Sequence, residues 1–198
     1  MFYILEHCPV LEVLLAWTRS PDSPEDVPLT NPIRHTHLRA LTWLCQDRGN
    51  LVCPDLSPLL DLPAIESIYL HSLHWERYTQ APVLPYPNLI PVRRFRHLTR
   101  LFIGPLWNDY DGDGCVKLLR TMPALQILWL PWKARMHLLF EALSTSGEGG
   151  FFLPSLEWLR IIDVPGRDLT ESRCRQWHVA INQLARLRGA RCMKTTGL

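Results

Sequence analysis

The run DYDGDG at 109–114 places Asp109, Asp111 and Asp113 at the alternating spacing of the first half of a calcium-binding EF-hand loop. That loop needs a bidentate glutamate at its twelfth position, and Arg120 stands there instead. The residues ahead of the run read as strand, not helix. The run is therefore expected to be a turn whose acids cap a helical segment from Val116 to Met122. The segment STSGEGG at 144–150 is rich in glycine but lacks the Gly-Lys-Ser/Thr ending of a phosphate loop, and reads as a flexible insertion. His35 with His37, and His71 with His74, are of metal-ligating type, but no cysteine or carboxylate stands at a recognised spacing from either pair. Surface or strand histidines are expected. No Gly-x-Ser-x-Gly nucleophile motif occurs. Arg93, Arg94, Arg96 and Arg100 cluster around Phe95 and could meet nucleic acid, but the near-neutral chain favours a solvated loop or a patch for an acidic partner. No constellation supports an enzyme, and no cofactor or metal is expected.

Composition narrows the classes further. The chain has 198 residues, 47% hydrophobic and 20% charged, which is a globular composition with enough length for a sizeable core. Lys and Arg number 21 against 19 Asp and Glu, a net charge of +2. That balance makes no strong field for nucleic acid or an anionic membrane. The 17 prolines favour short elements and many turns. The six cysteines are irregularly spaced with no Cys-x-x-Cys pair; buried thiols in a reducing compartment are expected, with disulfide pairing left open. Met1 to Trp17 is apolar, but it has no basic start and Glu6, His7 and Glu12 break it up, so it does not read as a signal peptide. No later stretch approaches the roughly 20 apolar residues of a membrane span. A soluble protein of the cytoplasm or nucleus is expected.

The elements that would position any site come from a repeat. The pattern apolar-x-x-apolar-x-apolar begins at Leu11, Leu38, Ile65, Leu98, Leu125 and Leu156, at separations of 27, 27, 33, 27 and 31 residues. The two long intervals carry insertions, the proline-rich Ala81 to Pro91 and the STSGEGG segment; loops absorb such insertions cheaply. Pro9, Pro63, Pro123 and Pro154 each precede the first apolar position by two residues. Proline there is expected to end a helical turn and lead into an extended strand. Short amphipathic runs precede three of the four: Leu56 to Leu62, Val116 to Met122, and Phe151 to Leu153 after the helix-like Ala134 to Leu143. Each unit thus reads as strand, turn, helix-like segment, proline. A period of 27 lies within the range of leucine-rich repeats. The expected fold is α/β: a solenoid with about six parallel strands on a concave face and short helices or loops on the convex face.

At the C-terminal end, Asp168 and Glu171 resemble a capping box, and Cys174, Trp177, Ile181, Leu184 and Leu187 recur at helical spacing up to Gly189. The expected organisation is repeats over 1–167, a capping helix over 168–190 covering the last strand's edge, and a frayed tail over 191–198. At the other end, Phe2 to Leu5 reads as the last turn of an earlier unit's helix, leaving Leu11 to Ala16 as an edge strand. A fragment or tail of a longer protein is expected.

The units CPVLEVLLAW, LPAIESIYLHSLHW, FRHLTRLFIGPLW, MPALQILWLPW and LPSLEWLRIIDV resemble the irregular leucine-rich repeats of F-box proteins, particularly those abundant in mushroom-type fungi. The resemblance runs from about Phe2 to Val164. It implies a substrate-recruiting repeat region of a ubiquitin ligase component; the alternative is a generic leucine-rich-repeat scaffold without a ubiquitin role. The F-box that docks on the ligase adaptor has no counterpart here, so adaptor binding maps onto none of these residues. The Asn or Cys of the family, three residues past the third apolar position, is replaced by Arg19, Gln46, Leu73, Leu106, Lys133 and Val164. The family's inner ladder of side-chain hydrogen bonds is therefore expected to be missing.

On each strand the residues between the apolar ones should face outward. Tyr69, Phe102 and Trp129 then fall at one level on adjacent strands and form an aromatic stripe, with Trp17, His71 and Arg160 nearby. These six residues are the expected contacts for a protein partner, because aromatics and arginine are enriched in buried interfaces.

Overall fold

The computed structural model describes residues 2–19, 33–46, 60–72, 95–103, 116, 119–131, 136–147, 150–162, 179, 182–187 and 194–196. Its centre is one parallel sheet. The strands are β1 (Val13–Arg19), β3 (Ala40–Gln46), β5 (Ser67–Ser72), β6 (Arg100–Ile103), β7 (Ile127–Pro131), β10 (Trp158–Ile162) and β11 (Lys194–Thr196), side by side in that order. Every neighbouring pair is parallel. Chain order and spatial order coincide across the sheet, so each unit adds one strand beside the last.

The register follows from the apolar pattern. Leu14, Leu41, Ile68, Leu101, Leu128 and Leu159 pair strand to strand along the sheet, and all six are buried. The first and third apolar positions join the same core, with Leu11 and Leu70 packed partly buried against it. Each fully buried leucine or isoleucine contributes about 1.5–3 kcal/mol relative to exposure. A slip of one residue would turn this whole row to the opposite face, so the register is strongly specified.

The approach to each strand repeats too. The Leu11 N–H donates to the Cys8 carbonyl at 3.0 Å, and Ile65, Leu98, Leu125 and Leu156 donate likewise to Leu62, Phe95, Met122 and Leu153. This is a four-residue turn. The prolines sit at its second position, where a fixed φ near −65° suits the turn; a helical segment ends ahead of Pro9 and Pro123, whereas extended residues precede Pro63 and Pro154. The acceptor residues Leu62, Phe95, Met122 and Leu153 are themselves buried, which adds a fourth core position to those four units. One step on, single carbonyls accept two N–H groups from the next unit. Glu12 takes Arg39 and Ala40, Arg39 takes Glu66 and Ser67, and the same pairing recurs at Glu66, Thr99 and Gln126.

The other side of the sheet is less regular. Helix α1 (Phe2–His7) precedes the first strand and α2 (Met136–Ser144) precedes the last full unit. Leu139, Phe140 and Leu143 of α2 are buried. The helix ends where Ser144 and Thr145 donate their hydroxyls to the carbonyls of Phe140 and Glu141, bonds that compete with further helix. Residues 116 and 119 are helical and Arg120 donates to the Val116 carbonyl at 3.0 Å, as expected for that segment. The run Leu56 to Leu62 differs at its described end: β4 (Leu60–Asp61) is extended and pairs in parallel with β2 (Ile33–Arg34). The Arg34–Asp61 ion pair, 3.7 Å, spans that same pair of strands. Phe151 also departs from the helix-like reading, because β8 (Ser146–Gly147) and β9 (Gly150–Phe151) form an antiparallel pair within the STSGEGG insertion.

The C-terminal region departs from expectation in two ways. Residues 182–187 are helical and bury Leu184, but Leu187 is exposed. The edge of β10 is taken by β11, so Lys194–Thr196 is a strand inside the stretch expected to fray. The sheet edge supplies the unpaired N–H and carbonyl groups that such a strand satisfies. At the other edge, β1 has β3 as its only strand neighbour among the described residues. No helix among the described residues is long and apolar enough to cross a membrane.

Candidate functional site

The candidate site is the sheet face opposite the core. On it the pairing places Leu15, Thr42, Tyr69, Phe102, Trp129 and Arg160 in one continuous row, with Thr196 at the end. Apart from the half-buried Leu70, the strand neighbours of the first six are buried, and alternation turns this row outward. Leu15 and Arg160 are exposed, and Thr42, Tyr69, Phe102 and Trp129 are half-buried.

Four of the six expected contact residues touch in sequence. The Tyr69 and Phe102 rings lie 5.7 Å apart, tilted by 44°. Phe102 and Trp129 meet edge to face, 4.8 Å apart at 87°. The Arg160 guanidinium carbon lies 4.7 Å from the centre of the Trp129 ring. Strand spacing explains the continuity: side chains directly opposite on paired strands have Cβ atoms about 4.5–5.5 Å apart, so large rings there must touch. The edge-to-face pair sets a positive ring edge against a negative ring face. Arg160 sets a cation over the ring of Trp129. Tyr69, Phe102, Trp129 and Arg160 thus form a continuous platform of large side chains.

Trp17 and His71 lie elsewhere. They pair with Leu44 from its two sides, in a row one step further along the strands, with Pro131 and Ile162 paired at the far end. Their side chains fall outside the described residues. The preceding outward row reads Val13, Ala40, Ser67, Arg100, Ile127, Trp158 and Lys194. The sequence reading missed this row; Trp158 and Arg100 could have been found by extending the same alternation backward.

The chemistry-bearing residues fare differently. His35 is buried at 2% exposure; it is not a surface histidine. Its Nε2 is 2.9 Å from the Cys8 carbonyl oxygen, and its Nδ1 accepts the Leu38 N–H at 3.0 Å. The ring stands where other units use a backbone carbonyl, so its polarity is spent on the turn. Its neighbour His37 is exposed. Phe95 is buried in the core, so its ring is not offered to a base. Cys8 is an exposed free thiol, unlike the buried thiols expected. The 109–114 run, Arg93, Arg94 and His74 lie outside the described residues. Among the described residues no three His, Cys, Asp or Glu side chains gather to hold a metal. Compared with known proteins, the chain matches no family model, and neither a curated protein nor a solved structure is detectably similar to it.

Proposed function

We propose that the chain is a leucine-rich-repeat solenoid whose outward sheet face holds another protein, and that it serves as the substrate-recruiting region of an F-box-type ubiquitin ligase component. The observation that carries the platform reading is the unbroken contact chain Tyr69–Phe102–Trp129–Arg160 across four adjacent strands. A row of large apolar side chains left on a sheet face marks a contact surface, and ring edges and a stacked guanidinium are what buried interface centres are made of. The repeat reading is supported by strand order, by the shared turn before each strand and by the common core register. The ligase role rests on the resemblance of the repeat units. The protein acts by holding, not by catalysis.

The test has two arms. In the first, Phe102→Ala with Trp129→Ala is expected to abolish capture of the native partner while leaving the fold nearly intact. Unfolding of that double variant would place the two rings in the core and end the platform reading. In the second, the native reading frame extended upstream is expected to encode a helical F-box and to co-purify with the ligase adaptor. Partner capture without adaptor would make the chain a repeat scaffold outside the ubiquitin system.

A further inference from the structure

The outward face is one-sided in charge. Its first row carries Arg100 and Lys194, its second carries Arg160, and neither row holds an Asp or Glu. The row beyond, through Trp17, Leu44, His71, Pro131 and Ile162, has none either. Yet the whole chain has 19 Asp and Glu against 21 Lys and Arg. The acids just ahead of the face are partly committed: Glu66 pairs with Arg39 at 3.6 Å. Arg100 and Arg160 are exposed, and neither is in an ion pair with the described residues.

Resting on the platform reading above, we infer that this face selects an extended acidic peptide segment, whose carboxylates meet Arg160 and Arg100 while bulky apolar side chains lie on Tyr69, Phe102 and Trp129. The position of Arg160 over the Trp129 ring is the key geometry. The guanidinium has five N–H donors and one ring contact does not use them up, and its fork matches a carboxylate in bidentate fashion. The ring contact also favours one placement of the fork, so less side-chain freedom is lost on binding. Arg100 and Arg160 stand two strands and two residues apart. With strands about 4.8 Å apart and residues about 3.3 Å apart, their backbones are separated by roughly 12 Å. An extended peptide spans that with acids about three or four residues apart. A nucleic acid fits less well, because the Trp129 ring, the largest on which a base would stack, already carries Arg160.

The experiment selects displayed random dodecapeptides on the immobilised full chain, then titrates fluorescein-labelled versions of the enriched peptides. Peptides combining Asp or Glu with aromatic or aliphatic residues are expected. Arg160→Gln should weaken them by about tenfold or more, Arg160→Lys by less, and Arg160→Glu should switch enrichment to basic peptides. Raised salt should weaken them as well. Unchanged thermal unfolding of the three variants confirms folding. Apolar peptides without acids, lost on Trp129→Ala but indifferent to Arg160→Gln, would overturn this inference and leave the platform reading standing. No enrichment, or enrichment indifferent to both substitutions, would overturn both. An oligouridine that binds at physiological salt and is lost on both substitutions would assign the face to RNA and overturn the peptide inference.

Discussion

His35 reaches across 27 positions to Cys8, its Nε2 lying 2.9 Å from the Cys8 carbonyl oxygen. Because Nδ1 accepts from Leu38, Nε2 is the nitrogen left to donate. One buried ring thereby ties the turn of the first unit to the turn of the second. Elsewhere the turn's N–H finds a carbonyl three residues back. Here a side chain does that work and adds a bond between units.

His35→Ala removes both bonds and leaves the buried Leu38 N–H without its acceptor, while the Cys8 carbonyl keeps the Leu11 N–H. Such a loss costs about 1–3 kcal/mol for each buried group left unsatisfied. His35→Asn can still accept the Leu38 N–H, as an Asx turn does, but cannot span to Cys8. Urea unfolding should rank the proteins wild type, then His35→Asn, then His35→Ala. Hydrogen exchange at the Leu38 amide should quicken in the alanine variant and much less in the asparagine one. An alanine variant as stable as wild type would mean the ring bridges nothing.

Adjacent residues on β1 test the register. Leu14 is buried and Leu15 is 65% exposed. Leu14→Ala should cost about 2–5 kcal/mol, and Leu15→Ala should change stability by less than about 0.5 kcal/mol. Denaturant midpoints at unchanged slope give both values. Reversed costs would mean the strand is slipped by one residue, and the outward rows would exchange places with the core.

The repeated hexads were legible because all their apolar positions do the same job. Each of Leu14, Leu41, Ile68, Leu101, Leu128 and Leu159 packs against its neighbour's equivalent, so one residue type recurs at one phase. The stripe of Tyr69, Phe102 and Trp129 followed from that phase alone. The fourth core position was not legible as a repeat. Its occupants His35, Leu62, Phe95, Met122 and Leu153 share a place in the turn but not a residue type, and in the first unit the exposed Cys8 stands there. The pairing of Ile33–Arg34 with Leu60–Asp61 was also hidden. Residues that pair across a long interval carry no local period, so a short strand there reads like any amphipathic run. The strand Lys194–Thr196 is polar and short, and only the open edge of β10 gives it a reason to be extended.

Contact between Phe102 and Trp129 should appear as coupling. Edge-to-face pairs add about 0.5–1.5 kcal/mol beyond area burial. A double-mutant cycle on unfolding free energy, with Phe102→Ala and Trp129→Ala, should return a coupling in that range. Tyr69 with Trp129 should couple more weakly, because Phe102 stands between them. A Phe102–Trp129 cycle that closes to zero would remove the contact chain on which the platform depends.

Leu153 combines burial with strain. It has a φ of 52°, in the left-handed region that disfavours residues with a Cβ. It is also a buried core residue and its carbonyl accepts the Leu156 N–H that closes the last turn. The side chain's packing holds the backbone in a conformation that costs about 1–2 kcal/mol. Leu153→Ala loses the packing and keeps the strain, for about 2–5 kcal/mol. Leu153→Gly loses the same packing but releases the strain, since glycine adopts positive φ freely. The glycine variant should therefore unfold at a higher urea concentration than the alanine variant, by about 1 kcal/mol in free energy. At most positions the order is the reverse, because glycine adds freedom to the unfolded chain. An alanine variant more stable than the glycine one would show that the left-handed backbone at Leu153 is not under tension, and that the turn into β10 is held by its hydrogen bond alone.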